Sequence, residues 1–200
     1  MHRAPLRVAA AAVGLLLAGS GAAYATGHAT PAQTTTTTTA TTATSTTTTT
    51  STTQTASIRT ADRAFATKAA ASDRFEIRSG QIAVARGMQP TRAVGRRLIH
   101  DHTRSSRLLK TIATHLKLTL PTTLPPSLQR QVKLLTTSRA TMGFDLKFAR
   151  MQVTAHQQAI ALFTKEAKTG RNAMLRAFAK SQLPVLRMHL ASAKGLAARA

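Results

Sequence analysis

The stretch "FEIRSGQIAVARGMQPTRAVGRRLIHDHTRSSRLLKTIA", residues 75–113, decides how the rest of the chain is read. Small and apolar side chains recur at three- and four-residue steps on both sides of a break at "GMQPT". Before the break, Ala69, Ser72, Glu76, Ser79 or Gly80, Ala83 and Gly87 form one stripe, bordered by Phe75 and Ile82. After it, Val94, Leu98, His102, Ser105, Leu109, Ile112 and Leu116 share a face. This is the period of amphipathic helices, not the alternation of strands. Pro90 and Thr91 mark a break and a restart, because proline is tolerated in the first turn of a helix but not inside one. The pattern therefore predicts a helical hairpin, with one helix over Ala61–Gly87 and a second ending at about Lys117.

The same period continues towards the C-terminus. The segment "LTLPTTLPP" carries three prolines and must be a loop. A short helix is expected over Ser127–Thr137 and a long one over Met142–Lys168, with Phe148, Gln152, His156, Ala159 and Phe163 on its inner stripe. Gly170 suits a helix stop and Asn172 a helix cap. The last helix, Ala173–Ala198, places Leu175, Gln182, Leu186, His189, Ala193 and Leu196 along one side and carries an internal Pro184. No segment reads as a strand hairpin. The expectation is an all-α domain over residues 60–200, a four-helix bundle.

Two segments precede it. "MHRAPLR" followed by "VAAAAVGLLLAG" and "AYA" has the basic start, short apolar stretch and small-x-small site of an export signal, residues 1–25, cleaved after Ala25. An uncleaved anchor is the rival reading. Residues 26–59 are dominated by threonine and hold too little apolar surface to offset chain entropy, so they read as a disordered spacer suited to O-glycosylation. The protein is thus expected to be exported (secreted, periplasmic or wall-associated), with no transmembrane helix in the mature chain.

Charge narrows the partners. The chain has 28 Lys+Arg against 6 Asp+Glu, a formal charge of +22. It has 0 Cys, which excludes disulfides, thiolate metal sites, a thiol nucleophile and a lipoprotein anchor. Aromatic residues make up 4%, too few for a base-stacking platform. Arg96, Arg97, Arg104, Arg107 and Lys110 crowd the second helix with almost no acids to lace them. A polyanion partner is expected, either anionic cell-wall polymer or lipid headgroups. Export and the lack of any DNA-binding motif argue against nucleic acid. No nucleophile-elbow motif is present, and no catalytic residue set is identified.

Three of the 7 histidines lie on apolar stripes: His102, His156 and His189. Their spacing turns each inward. His100 and His115 fall on outer faces. Reflected about a turn near residue 89, Glu76 and His102 share a level. His156 and His189 fall about four residues apart in level, roughly 6 Å. Glu76, His102, His156 and His189 could hold one divalent metal ion, Zn, Cu, Fe or Mn. Equally, Glu76 could pair with His102 in a buried polar cluster that fixes helix register without metal. Asp101 and Asp145 suit supporting or structural polar roles. Asp145 lies eleven residues before His156, about 16 Å along the helix, too far to share its ligand sphere.

The stretch quoted first, with "LP" at 120–121, "GFDLKFARMQVTAHQQAIALF" at 143–163 and "LPVLRMHLASA" at 183–193, resembles a bacterial family known as domain of unknown function 4142. The similarity spans residues 62–197. It implies an exported or envelope-associated ferritin-like bundle, with Glu76, Asp101, His102, Asp145, His156 and His189 as recurrent positions. It implies no reaction. Iron-oxidising ferritin-like proteins use Glu-x-x-His pairs. Three residues before the inward histidines stand Ile99, Val153 and Leu186, so a carboxylate-bridged di-iron centre lacks most of its ligands. The functional expectation is an envelope-associated binding or structural module contacting anionic polymer. Its alternative is a mononuclear metal-binding or redox bundle.

Overall fold

A computed structural model describes residues 58–199. The expected export signal and nearly all of the threonine-rich spacer lie outside them. The described residues form α1 (Thr60–Arg86), α2 (Gln89–His115), α3 (Pro126–Thr137), α4 (Met142–Thr169) and α5 (Ala173–Ala197), and no strand occurs among them. None of these helices is long and apolar enough to cross a membrane.

Two hairpins, α1–α2 and α4–α5, pack side by side, with α1 against α4 and α2 against α5. Each turn is held by the other hairpin. Asp145, near the start of α4, accepts from Met88 N through Oδ1 and Oδ2 at 3.2 and 3.3 Å. Asp62, near the start of α1, accepts from Arg171 N and Asn172 N at 3.1 and 2.8 Å. These clamps fix direction. The start of α4 lies at the α1–α2 turn, so α4 runs parallel to α2 and antiparallel to α1. The connection from α2 must then travel the length of the bundle, and α3 packs on α1 and α4 as it does so. Arg74 Nε donates to Pro121 O near its beginning and an Arg86 guanidinium nitrogen to Ser138 O near its end. One long crossover between two helical hairpins is the ferritin-like arrangement.

Helix ends follow local chemistry. Asn172 Oδ1 caps α5 by accepting from Met174 N and Leu175 N. At the end of α2, Leu118 N donates to Ala113 O and Lys117 N to Thr114 O, with Lys117 in the left-handed region at φ 52°. Gly80 and Gly95 let α1 and α2 approach closely. A Cβ on either would lie 2.8 Å from the carbonyl oxygen of the other.

The apolar core has two parts. Towards the α4–α5 turn, Phe65, Phe163 and Phe178 meet edge-on or tilted, at centroid distances of 5.1 to 6.2 Å, beside Leu109, Leu175 and Leu186. Towards the α1–α2 turn, Leu98, Leu135, Phe144 and Phe148 pack with Ile82 and Leu196. Polar side chains of α1, α2, α4 and α5 occupy the middle of the bundle: Asp73, Glu76, His102, Gln152, His156 and His189.

Candidate metal centre

Polar groups in this position are costly unless partnered. Each imidazole has one nitrogen anchored. His102 Nδ1 lies 2.8 Å from Asp73 Oδ1, whose other oxygen accepts from Ser106 Oγ at 3.3 Å. His156 Nδ1 lies 3.0 Å from its own helix carbonyl, Gln152 O. His189 Nε2 lies 2.9 Å from Asp101 Oδ2. Facing acceptors, these three nitrogens carry protons and donate. The tautomers are thereby set, leaving lone pairs on His102 Nε2, His156 Nε2 and His189 Nδ1.

Those three nitrogens are buried without a hydrogen-bond partner. The three rings stand close to one another, with centroids 5.2 to 5.8 Å apart. Each ring offers one ligand atom, and these atoms lie within 4.8 Å of one another. Glu76 stands beside the group. Its Oε1 is 4.0 Å from His156 Nδ1, and its Oε2 is buried without a partner. A void of about 10 Å3 lies next to His102, lined also by Asp73, Asp101 and Ser105, at the lower limit for one water.

Electrostatics follow from burial and the acids nearby. Burial, reinforced by the charge of His102, pushes His156 down to about 3. Burial also lowers His189, against the raising effect of its bond to Asp101. For His102 burial again acts downward, but the Asp73 bond and the charges of Glu76, Asp73 and Asp101 outweigh it and leave its pKa raised. Burial pushes Glu76 up to about 7, opposed by the charge of His102. Burial acts to raise Asp101, but its bonds to His100 and His189, with the charges of His189 and Arg97, hold it below its ordinary range.

The expected pairing of Glu76 with His102 is replaced by Asp73 with His102. The reason is the turn. α1 ends at Arg86 and α2 begins at Gln89, so Gly87 and Met88 alone separate them and lie midway between positions 73 and 102. Reflection about residue 89 had favoured Glu76, three residues further on. The offset expected between His156 and His189 is closed by side-chain direction. Helical side chains lean towards the N-terminus of their helix. His156 therefore leans away from the α4–α5 turn and His189 towards it, and the rings meet with centroids 5.3 Å apart.

Asp101 lies where it can orient His189 and also joins His100 Nδ1 at 2.8 Å and Arg97 Nε at 3.3 Å. Asp145 is not near the imidazoles; it binds the α1–α2 turn. His100 and His115 are exposed, as are Arg96, Arg97, Arg104, Arg107 and Lys110. Sequence reading passed over Asp73, which supports His102, and gave Gln152 no part beyond the stripe. Gln152 Nε2 donates to Ser79 Oγ at 3.0 Å, while its carbonyl anchors His156.

Comparison with known proteins supports the resemblance. The pattern of a family described as "Domain of unknown function (DUF4142)" matches residues 47–196. The chain belongs to this family. The match takes in α1 to α4, α5 as far as Leu196 and every member of the histidine centre, so the centre lies in the family domain itself. No curated protein and no solved structure matches the chain.

Proposed function

We propose that this member of the domain of unknown function 4142 family is a metal-binding protein. In this reading His102 Nε2, His156 Nε2 and His189 Nδ1 hold one divalent transition-metal ion, and the carboxylate of Glu76 completes the set. The observation that carries the reading is the convergence of three buried imidazoles, each with one nitrogen left unpartnered and each offering a ligand atom within 4.8 Å of the others. Neutral imidazoles with a carboxylate suit Zn, Cu, Fe or Mn rather than Mg or Ca. Each anchored nitrogen has the acceptor that ligating histidines usually have behind them.

A purely structural polar cluster would be expected to close its own hydrogen bonds. Here Glu76 Oε2 and one nitrogen of each ring stay open, and acceptor atoms gathered in a buried cluster favour a cation among them. The three rings are buried, and the void beside His102 is about 10 Å3, which suits holding a metal, or passing electrons through it, at this point. The N-terminal sequence, read as an export signal, would place this centre outside the cytoplasm.

The test is metal analysis of untagged protein together with thermal melting. One equivalent of metal is expected, with a raised Tm when the preferred ion is added. An ion at a hundred times its Kd adds about 2.7 kcal/mol. His156→Ala should abolish both. Protein that takes up no stoichiometric Zn, Cu, Fe or Mn, and melts at one temperature with or without them, would end this reading.

A further inference from the structure

The chain has 6 Asp+Glu, and each has been placed: Asp62, Asp73, Glu76, Asp145 and Glu166 are buried, and Asp101 is held between His189, His100 and Arg97. Among the described residues no carboxylate is exposed, while every Lys and Arg other than Arg86 and Arg176 is. Among the described residues the acidic side chains are turned to turns and histidines, and the fully exposed charges are all cationic.

That surface is densest along α2. At 3.6 residues per turn, Arg96, Arg97, Arg104, Arg107 and Lys110 fall within an arc of roughly 140°, opposite the stripe of Leu98, His102 and Leu109. α5 packs beside α2, with an Arg97 guanidinium nitrogen 3.2 Å from Met188 Sδ, and carries exposed Lys180, Arg187 and Lys194. The crossover with α3 packs on α1 and α4, so among the described residues no helix covers the α2–α5 side.

We infer that the α2–α5 face binds a flexible phosphodiester polymer without nucleobases, of the poly(alditol phosphate) kind. Charge complementarity supplies the attraction, and the arginine fork matches phosphate oxygens. What the surface lacks selects this occupant. All 6 Phe are buried, so no exposed Phe, Tyr or Trp among the described residues forms a stacking platform for bases. Of the large exposed apolar residues, Met88, Leu108, Leu134, Met142 and Met188, only Leu108 and Met188 belong to α2 and α5, too few to make this face a wedge for a bilayer. This binding is independent of the metal at the bundle's centre.

The experiment titrates the whole protein with poly(glycerol phosphate). Binding should weaken at least tenfold between about 50 and 200 mM salt, since it rests on charge. The triple variant Arg104→Glu, Arg107→Glu, Lys110→Glu should lose at least ten times more affinity than Arg130→Glu, Lys133→Glu, Arg139→Glu, which changes net charge equally on and beside α3. All six residues are exposed, and melting curves check that both variants stay folded. Equal losses would reduce the effect to net charge and overturn the assignment of a face. Salt-insensitive binding, or tighter binding to DNA or to anionic vesicles at matched charge, would overturn the choice of occupant.

Discussion

Asp73 and His102 stand opposite one another across the α1–α2 hairpin, Oδ1 to Nδ1 at 2.8 Å, with both side chains buried. The carboxylate fixes which ring nitrogen holds the proton and so aims the Nε2 lone pair at His156 and His189. It also makes the ring more basic, strengthening it as a ligand.

Asp73→Asn tests that role. The amide retains an oxygen able to accept from Nδ1 but loses the charge. Metal affinity, read by competition with a coloured chelator, should fall about ten- to a hundredfold. The fold should persist, since the shape is unchanged. An affinity equal to the parent's would mean that His102 is aimed by packing alone.

Asp62 and Asp145 make a second paired test, on stability. Asp62 accepts from two backbone N–H groups of the α4–α5 turn, and Asp145 accepts from one in the α1–α2 turn. A hydrogen bond to a charged group contributes about 1.5–3 kcal/mol. Asp62→Ala should therefore destabilise by about 3 kcal/mol or more in urea unfolding, and Asp145→Ala by roughly half as much. The reverse order would show that these carboxylates are not the clamps that orient the hairpins.

Much of this arrangement was legible in the chain. The first helix, expected over Ala61–Gly87, is Thr60–Arg86, and the long later one, expected over Met142–Lys168, is Met142–Thr169. Helical period reveals faces, and so the inward His102, His156 and His189 could be read directly. Period does not give level across a turn. A turn centred near residue 89 rather than at Gly87 and Met88 shifts the reflection by more than one residue and pairs His102 with Glu76 instead of Asp73. Nor does it give direction across a long connection. Residues 116–141 suffice for either sense of α4, and the choice rests on Asp62 and Asp145, whose bonds reach across 109 and 57 residues. Side-chain lean, which brings His156 to His189, is likewise invisible to counting residues.

Glu166 supplies the pH prediction. It is buried beside the α4–α5 turn, its Oε1 has no partner, and it folds against Gly170, where a Cβ would fall 2.3 Å from that oxygen. Burial, with the charge of Asp62 added and that of Arg176 opposing, raises it from 4.5 to about 7. Between those two values the folded chain holds a proton that the unfolded chain has lost, so this group's contribution to stability falls as pH rises through the window. Below it both states are protonated; above it both are ionised, and the full cost of burying the charge is felt. Glu166→Gln cannot ionise and should gain in Tm over the parent as pH rises from about 5 to 8, levelling off above that. Glu76 and His102 titrate in both proteins, and their effects cancel in the difference. A Tm difference that stays flat across this range, or narrows towards high pH, would mean that Glu166 carries its charge throughout.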